Sequence, residues 1–176
     1  MFPKPKKLLD AAALYDYAIR SLSGRMRTVA ELKRLLRRRA TPDESGEAAV
    51  EAVILKLKEQ KYLNDSAYAA AYSSYRQNTE KFGRRRVAAD LRAKGVHPEV
   101  IEKSVTTAFA GVNEEKLARE HLARKRLRKP KDKKGAARVF RSLLRAGFSS
   151  RTIFSILKKW EIDSEALSQM EEEADV

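Results

Sequence analysis

The chain has 176 residues, 43% of them apolar, no cysteine, and a formal net charge of +14 with a sequence pI near 10.1. These totals leave room for a folded core and exclude a disulfide scaffold or any cysteine-ligated metal centre. The excess of 38 Lys and Arg over 24 Asp and Glu selects a polyanion or an acidic protein surface as partner.

Residues 1–9 form a basic leader without the apolar run of a secretory signal, and no later stretch approaches the ~20 apolar residues of a membrane span, so the chain reads as cytoplasmic. Apolar residues then recur at three and four, which predicts helices throughout. A first helix over 10–22 is followed by Thr28 and Glu31, a capping box that opens a second helix ending at Arg39. Five extra residues within "ATPDESGEAA" lengthen the turn before a third helix carrying Val50, Val53, Ile54 and Leu57.

The pattern then returns. A helix over 65–78, capped by Asp65, precedes "FGRRRVAADLRAKG", whose Gly95 is a typical left-handed helix stop. Pro98 and Glu99 fit the first turn of the next helix. Asn113 caps a helix over 113–128, another ends at Gly147, and Ser149 or Ser150 caps the last. Across the copies Leu32 and Leu35 correspond to Ala88 and Leu91 and to Phe140 and Leu143, with Arg39 in the slot of the two glycines. The spacing of Val50, Val53, Ile54 and Leu57 returns as Ile153, Ile156, Leu157 and Trp160.

A period near fifty residues implies an all-α chain of three tandem three-helix repeats, over 10–64, 65–111 and 112–160, stacked into an elongated, curved body. Residues 161–176 hold seven acids and no base, an acidic C-terminal tail that leaves +21 on residues 1–160. That tail reads as a solubilising end or as a competitor for the basic face.

In each copy the middle helix and its approach carry the positive charge. The first supplies Arg34, Arg37 and Arg38, the second Arg84, Arg85, Arg86 and Arg92, and the third Arg124, Lys125, Arg126, Lys133, Lys134, Arg138 and Arg141. Arginines at a helix start gain nothing from its dipole, so "GRRR" is expected to await an external anion, with Gly83 leaving the free N–H groups open to it. Three equivalent helices would align these cations as a punctuated stripe along a phosphate backbone. Charge runs are ordinarily solvated faces, and the same imbalance in all three copies argues for more here.

Tyr68, Tyr72 and Tyr75 form a stripe best read as packing. His97 and His121 lack metal-ligand spacing and read as a helix cap and a surface residue, so neither a metal nor a cofactor is expected. No phosphate loop or nucleophile elbow is present in the sequence, and the chain is not expected to be an enzyme.

"KYLND" (61–65), "SAYAAAY" (66–72), "FGRRRVAADLRAKGV" (82–96) and "PEVIEKSV" (98–105) resemble the signature of the RecX regulators of the bacterial recombinase RecA. "YAIRSLSGRMRTVAELKRLL" and "VILKLKEQKYLND" are similar to the family's opening unit. The resemblance implies a modulator that binds the RecA filament on DNA and restrains its growth, ATP hydrolysis and strand exchange, and the chain is expected to be a monomer. It also implies phosphate contacts to single- and double-stranded DNA. By position, Gly83, Arg84, Arg85, Arg86 and Lys94 would be the contact set, and Lys61, Tyr62, Leu63 and Asp65 the junction between repeats. The residues alone leave two rivals open, a stand-alone DNA binder of helix-turn-helix type and an adaptor for an acidic protein.

Overall fold

Helix starts in this chain are set by side chains that take up otherwise unpaired backbone N–H groups. In the computed structural model, which describes residues 8–160, Asp10 caps α1 (Ala11–Gly24) and the Thr28–Glu31 capping box opens α2 (Val29–Arg37). Asp43 caps α3 (Glu44–Glu59), accepting from the Gly46 N–H at 2.8 Å and from the Thr41 and Ser45 hydroxyls. The extra residues after α2 therefore build a capping turn. A Cβ on Gly46 would lie 2.0 Å from the Thr41 carbonyl oxygen, so the turn closes only on glycine.

The chain continues through α4 (Asp65–Asn78), α5 (Arg84–Ala93), α6 (Pro98–Ala108), α7 (Glu114–Arg124), α8 (Lys133–Arg145) and α9 (Ser150–Lys159). No strand occurs among the described residues, and the fold is all-α, in helices grouped by threes. Asn113 and Ser149 cap α7 and α9 as their positions predict. Asp65 does not cap α4. Asn64 does, accepting from the Ala67 N–H at 3.0 Å, while Asp65 reaches the Val29 N–H at the start of α2, 2.9 Å away. The helix expected over 113–128 stops at Arg124, where Arg126 turns to φ 55° and ends it.

The described residues divide into two compact units, one of 8–69 with 91–101 and the other of 70–90 with 102–160. In the first, Leu14, Ala18, Leu32, Leu36, Val50, Ile54 and Leu57 make one core from the three opening helices, joined by Leu63. Each of the larger side chains contributes roughly 1.5–3 kcal/mol by leaving water. In the second unit Leu117, Leu122, Val139, Phe140, Leu143, Phe148, Ile153, Ile156 and Leu157 do the same for α7, α8 and α9.

Each unit holds one copy of the same joint. In the first, the turn after α5 sits on the start of α2: the Thr28 hydroxyl donates to the Lys94 carbonyl at 2.7 Å, and Gly95 has φ 75°. In the second, the turn after α8 sits on the start of α5. There the Gly83 N–H donates to the Ala146 carbonyl at 2.8 Å, the Arg85 N–H to that of Gly147 at 3.3 Å, and Gly147 has φ 87°. A Cβ on Gly95 would meet the Ala30 Cβ at 2.4 Å, and one on Gly147 the Arg86 nitrogen at 2.2 Å.

The joints fix the register between copies. Leu36, Leu91 and Leu143 each accept from the turn that follows and are fully buried. Leu36, and not Leu35, is thus the equivalent of Leu91, and Ala40, not Arg39, holds the glycine slot. Adjacent leucines at 35 and 36 satisfy a spacing of three or four equally well, so periodicity alone misplaces the first copy by one residue.

Gly147→Ala should lower unfolding stability by about 3 kcal/mol, combining left-handed strain with backbone overlap. Gly111→Ala, at φ 68° with nothing within 4 Å of its would-be Cβ, should cost only about 1 kcal/mol. Urea denaturation of the two variants checks the difference.

Candidate polyanion-binding surface

The start of α5 is closed by the joint. With the Gly83 and Arg85 N–H groups donating to carbonyls after α8, and with a Cβ on Gly83 lying 2.4 Å from the Gly147 oxygen, Gly83 serves backbone packing. The expectation that it leaves the helix start open to an anion is not met. What remains available there is side chains, and the three arginines differ. Arg84 donates to Glu102 at 2.9 Å and to the Thr106 hydroxyl at 2.8 Å. Arg86 pairs with Asp90 at 2.9 Å and lies 5.9 Å from the Phe82 ring centre. Arg85 is exposed and makes no side-chain hydrogen bond or ion pair among the described residues.

Beneath them lies a group that sequence reading missed. The Arg76 guanidinium, on a side chain only 16% exposed, pairs with Glu80 and with Asp90, the latter at 2.6 Å, and covers the Phe82 ring at 4.2 Å. The Tyr72 hydroxyl also donates to Asp90, at 3.2 Å. Two arginines thus share one carboxylate, and a partly buried charge cluster of this kind holds its members in place. No sequence signal separated Arg76 from the surrounding bases, although its i, i+4 spacing to Glu80 was available.

The cations of the first unit sort in the same way. Arg37 is gripped by Glu47, and Lys33 by Glu51 at 2.5 Å. Lys94, expected as a contact residue, pairs with Glu31 at 2.9 Å and lies 5.8 Å from the Tyr68 ring. Burial pushes the Glu31 carboxyl up, but hydrogen bonds from Lys94 and the Thr28 backbone outweigh it and hold it below its usual range. Glu31 in turn raises Lys94. Arg34, Arg38 and Arg92 are exposed and have no acidic partner among the described residues.

In the second unit Arg124, Lys125 and Arg126 are exposed where α7 ends, and Lys133 and Lys134 where α8 begins. With Ala136, Val139, Phe140 and Leu143 inward, Lys134, Arg138, Arg141 and Arg145 follow one another at four, three and four residues along the exposed face of α8. In the register set by the buried leucines, Arg141 and Arg145 correspond to Arg34 and Arg38 of α2. Ala89 and Ala93 hold those positions in α5. The cations therefore do not repeat position for position: Arg85 and Arg92 flank Ala89 at four and three residues, and Arg92 corresponds to Arg37 of α2.

The remaining candidates separate too. Leu63 is buried in the first core and Asp65 bonds α2, where burial raises its carboxyl. Lys61, at φ 62°, and Tyr62 are exposed. Tyr68 is buried, Tyr72 half-buried and Tyr75 exposed, so the tyrosine stripe is not one surface. His121 is not a surface residue. It is 2% exposed, with its ring 5.4 Å from Phe82 and 5.8 Å from Phe148. Burial lowers its pKa, against hydrogen bonds to the Glu80 and Lys81 carbonyls that would raise it. Its position on a basic helix hid an inward face that Leu117 and Leu122 share.

Residues 15–57 match the first three-helix domain of RecX and residues 64–105 the second. The regulatory protein RecX of Myxococcus xanthus is 34% identical over 170 residues, covering 89% of this chain and 88% of its own length. The chain belongs to the RecX family. The regulatory protein RecX of Geobacillus thermodenitrificans is 34% identical over 146 residues, and the chain spans 52% of that relative's length. A crystal structure of a regulatory protein RecX aligns with a TM-score of 0.68 at 27% identity, covering 85% of this chain and 71% of its own. RecX proteins are thus regulators by name, and no described helix here is long and apolar enough to cross a membrane.

His121 makes stability depend on pH in a defined direction. Its folded pKa lies below the unfolded value near 6.5, so the unfolded chain takes up the proton first as pH falls. Its stabilising effect should be complete above about pH 6.5 and decline below it. Urea midpoints above and below that pH should differ for the native chain and converge for His121→Phe.

Proposed function

We propose that the chain is a non-enzymatic, monomeric regulator that binds the RecA filament on DNA in the cytoplasm and restrains filament growth, ATP hydrolysis and strand exchange. Membership of the RecX family supports this, together with one structural observation: exposed guanidinium groups left unpaired while neighbouring bases are consumed by the chain's own acids. Arg85 is the sharpest case, flanked by Arg84 and Arg86, which both have partners. An unpaired arginine on a helix anchored at its start is pre-organised for phosphate or carboxylate, which it takes in bidentate geometry.

The contact set is accordingly Arg85 and Arg92 on α5, Arg34 and Arg38 on α2, and the exposed bases of α7 and α8. Arg37, Arg84, Arg86 and Lys94 act chiefly by holding helices in place. Phosphate contact of this kind is independent of base sequence and falls steeply with salt, because bound counterions are released.

Arg85→Ala should leave the fold intact and raise the concentration needed to inhibit DNA-stimulated ATP hydrolysis by RecA about tenfold, the size of one lost charge-assisted contact. Lys94→Ala should lower thermal stability. An inhibition curve unchanged by Arg85→Ala would remove this site, and tight sequence-selective binding to bare DNA that survives salt would favour a stand-alone DNA binder.

A further inference from the structure

The cationic face of α8 has no counterpart among the carboxylates around it. Seven acids fall within the described residues of that unit, and every one is engaged. Glu80 and Asp90 serve Arg76 and Arg86, Glu102 serves Arg84, and Glu120 pairs with Lys81 at 2.8 Å. Glu115 takes Arg119, Lys159 and the Ser155 hydroxyl, which together hold it at a pKa of about 2. Glu114 and Asp132 bind the starts of α9 and α8. Lys134, Arg138, Arg141 and Arg145 meanwhile repeat along about 16 Å of exposed helix with no acid among Lys133–Arg145.

One stretch of the sequence supplies the missing charge. Residues 161–176 carry Glu161, Asp163, Glu165, Glu171, Glu172, Glu173 and Asp175 and no base. They follow directly on α9, which packs against α8 through Leu143, Ile153, Ile156 and Leu157. Sixteen residues reach up to about 50 Å, three times the length of the stripe, so the tether does not limit contact.

We propose that the acidic segment 161–176 occupies the Lys134–Arg138–Arg141–Arg145 face of α8 in the free protein and is displaced when a polyanion binds. A tethered competitor acts at an effective concentration near the millimolar range, enough to screen weak, isolated anions. A continuous phosphate backbone, engaging Arg85 and Arg124 as well, has the additional contacts to displace it. The segment then sets a threshold of charge density for binding.

The test is a double-mutant cycle on the full chain, without recombinase, using a fluorescein-labelled single-stranded oligonucleotide at low salt. One variant changes the seven acids to Gln or Asn, a second changes the four α8 cations to Gln, and a third combines both. Neutralising the acids should tighten oligonucleotide binding about tenfold on the native α8 and less than about twofold on the altered α8. Equal tightening in both backgrounds means that the acids act through net charge alone, and no tightening means that the face is open; either overturns the proposal. Amide NMR shifts of α8 in the acid-neutral variant give a second readout. They should move at all protein concentrations, whereas a change only on concentration would place the segment on a second copy and also overturn it. Failure here leaves the RecA reading untouched, since no recombinase enters the assay.

Discussion

The structure depends on one repeated constraint, a glycine turn lodged against the start of another helix. A helix start presents N–H groups that must find acceptors, and a turn ending the paired helix presents carbonyls that must find donors. Bringing the two together answers both needs at once, and only glycine lets the backbones approach closely enough. The contact occurs twice with different donors: the Thr28 hydroxyl donates to the Lys94 carbonyl at the first joint, and the Gly83 N–H donates to that of Ala146 at the second. The division into two units passes through α4, α5 and α6.

This constraint decides which charges are free. Close packing at the start of α5 holds Arg84 and Arg86 beside Glu102, Asp90 and Phe82. Within the first unit, Lys94 pairs with Glu31. Arg85 and Arg92, seven residues apart on α5, make no ion pair among the described residues, although the charge of Arg85 helps lower the Glu114 carboxyl. The arginine run of α5 is thus a mixture of scaffold and surface, and net charge overstates the number of cations open to a partner.

Much of the fold was legible in the sequence because capping residues and apolar spacing are local signals. The Thr28–Glu31 box, Asn113, Ser149, Pro98 and the glycine stops all act within a few residues of their own helix. What escaped was set by tertiary contact. Nothing near Gly83 announced that its N–H and that of Arg85 would meet the Ala146 and Gly147 carbonyls, more than sixty residues on. His121 was misread because basic neighbours outweighed its place among leucines, and Arg76 because an arginine in a basic run looks solvated until its acids are located in space. The misplacement of Arg39 had a simpler cause, two adjacent leucines between which periodicity cannot choose.

The Arg39 carbonyl occupies the place that Lys94 and Ala146 hold in the two joints, and it accepts from the Leu9 N–H at 2.8 Å. A single main-chain amide therefore does for the opening helices what a neighbouring repeat does for the others. Any segment that docked there as a repeat docks at the other joints would have to displace this amide first.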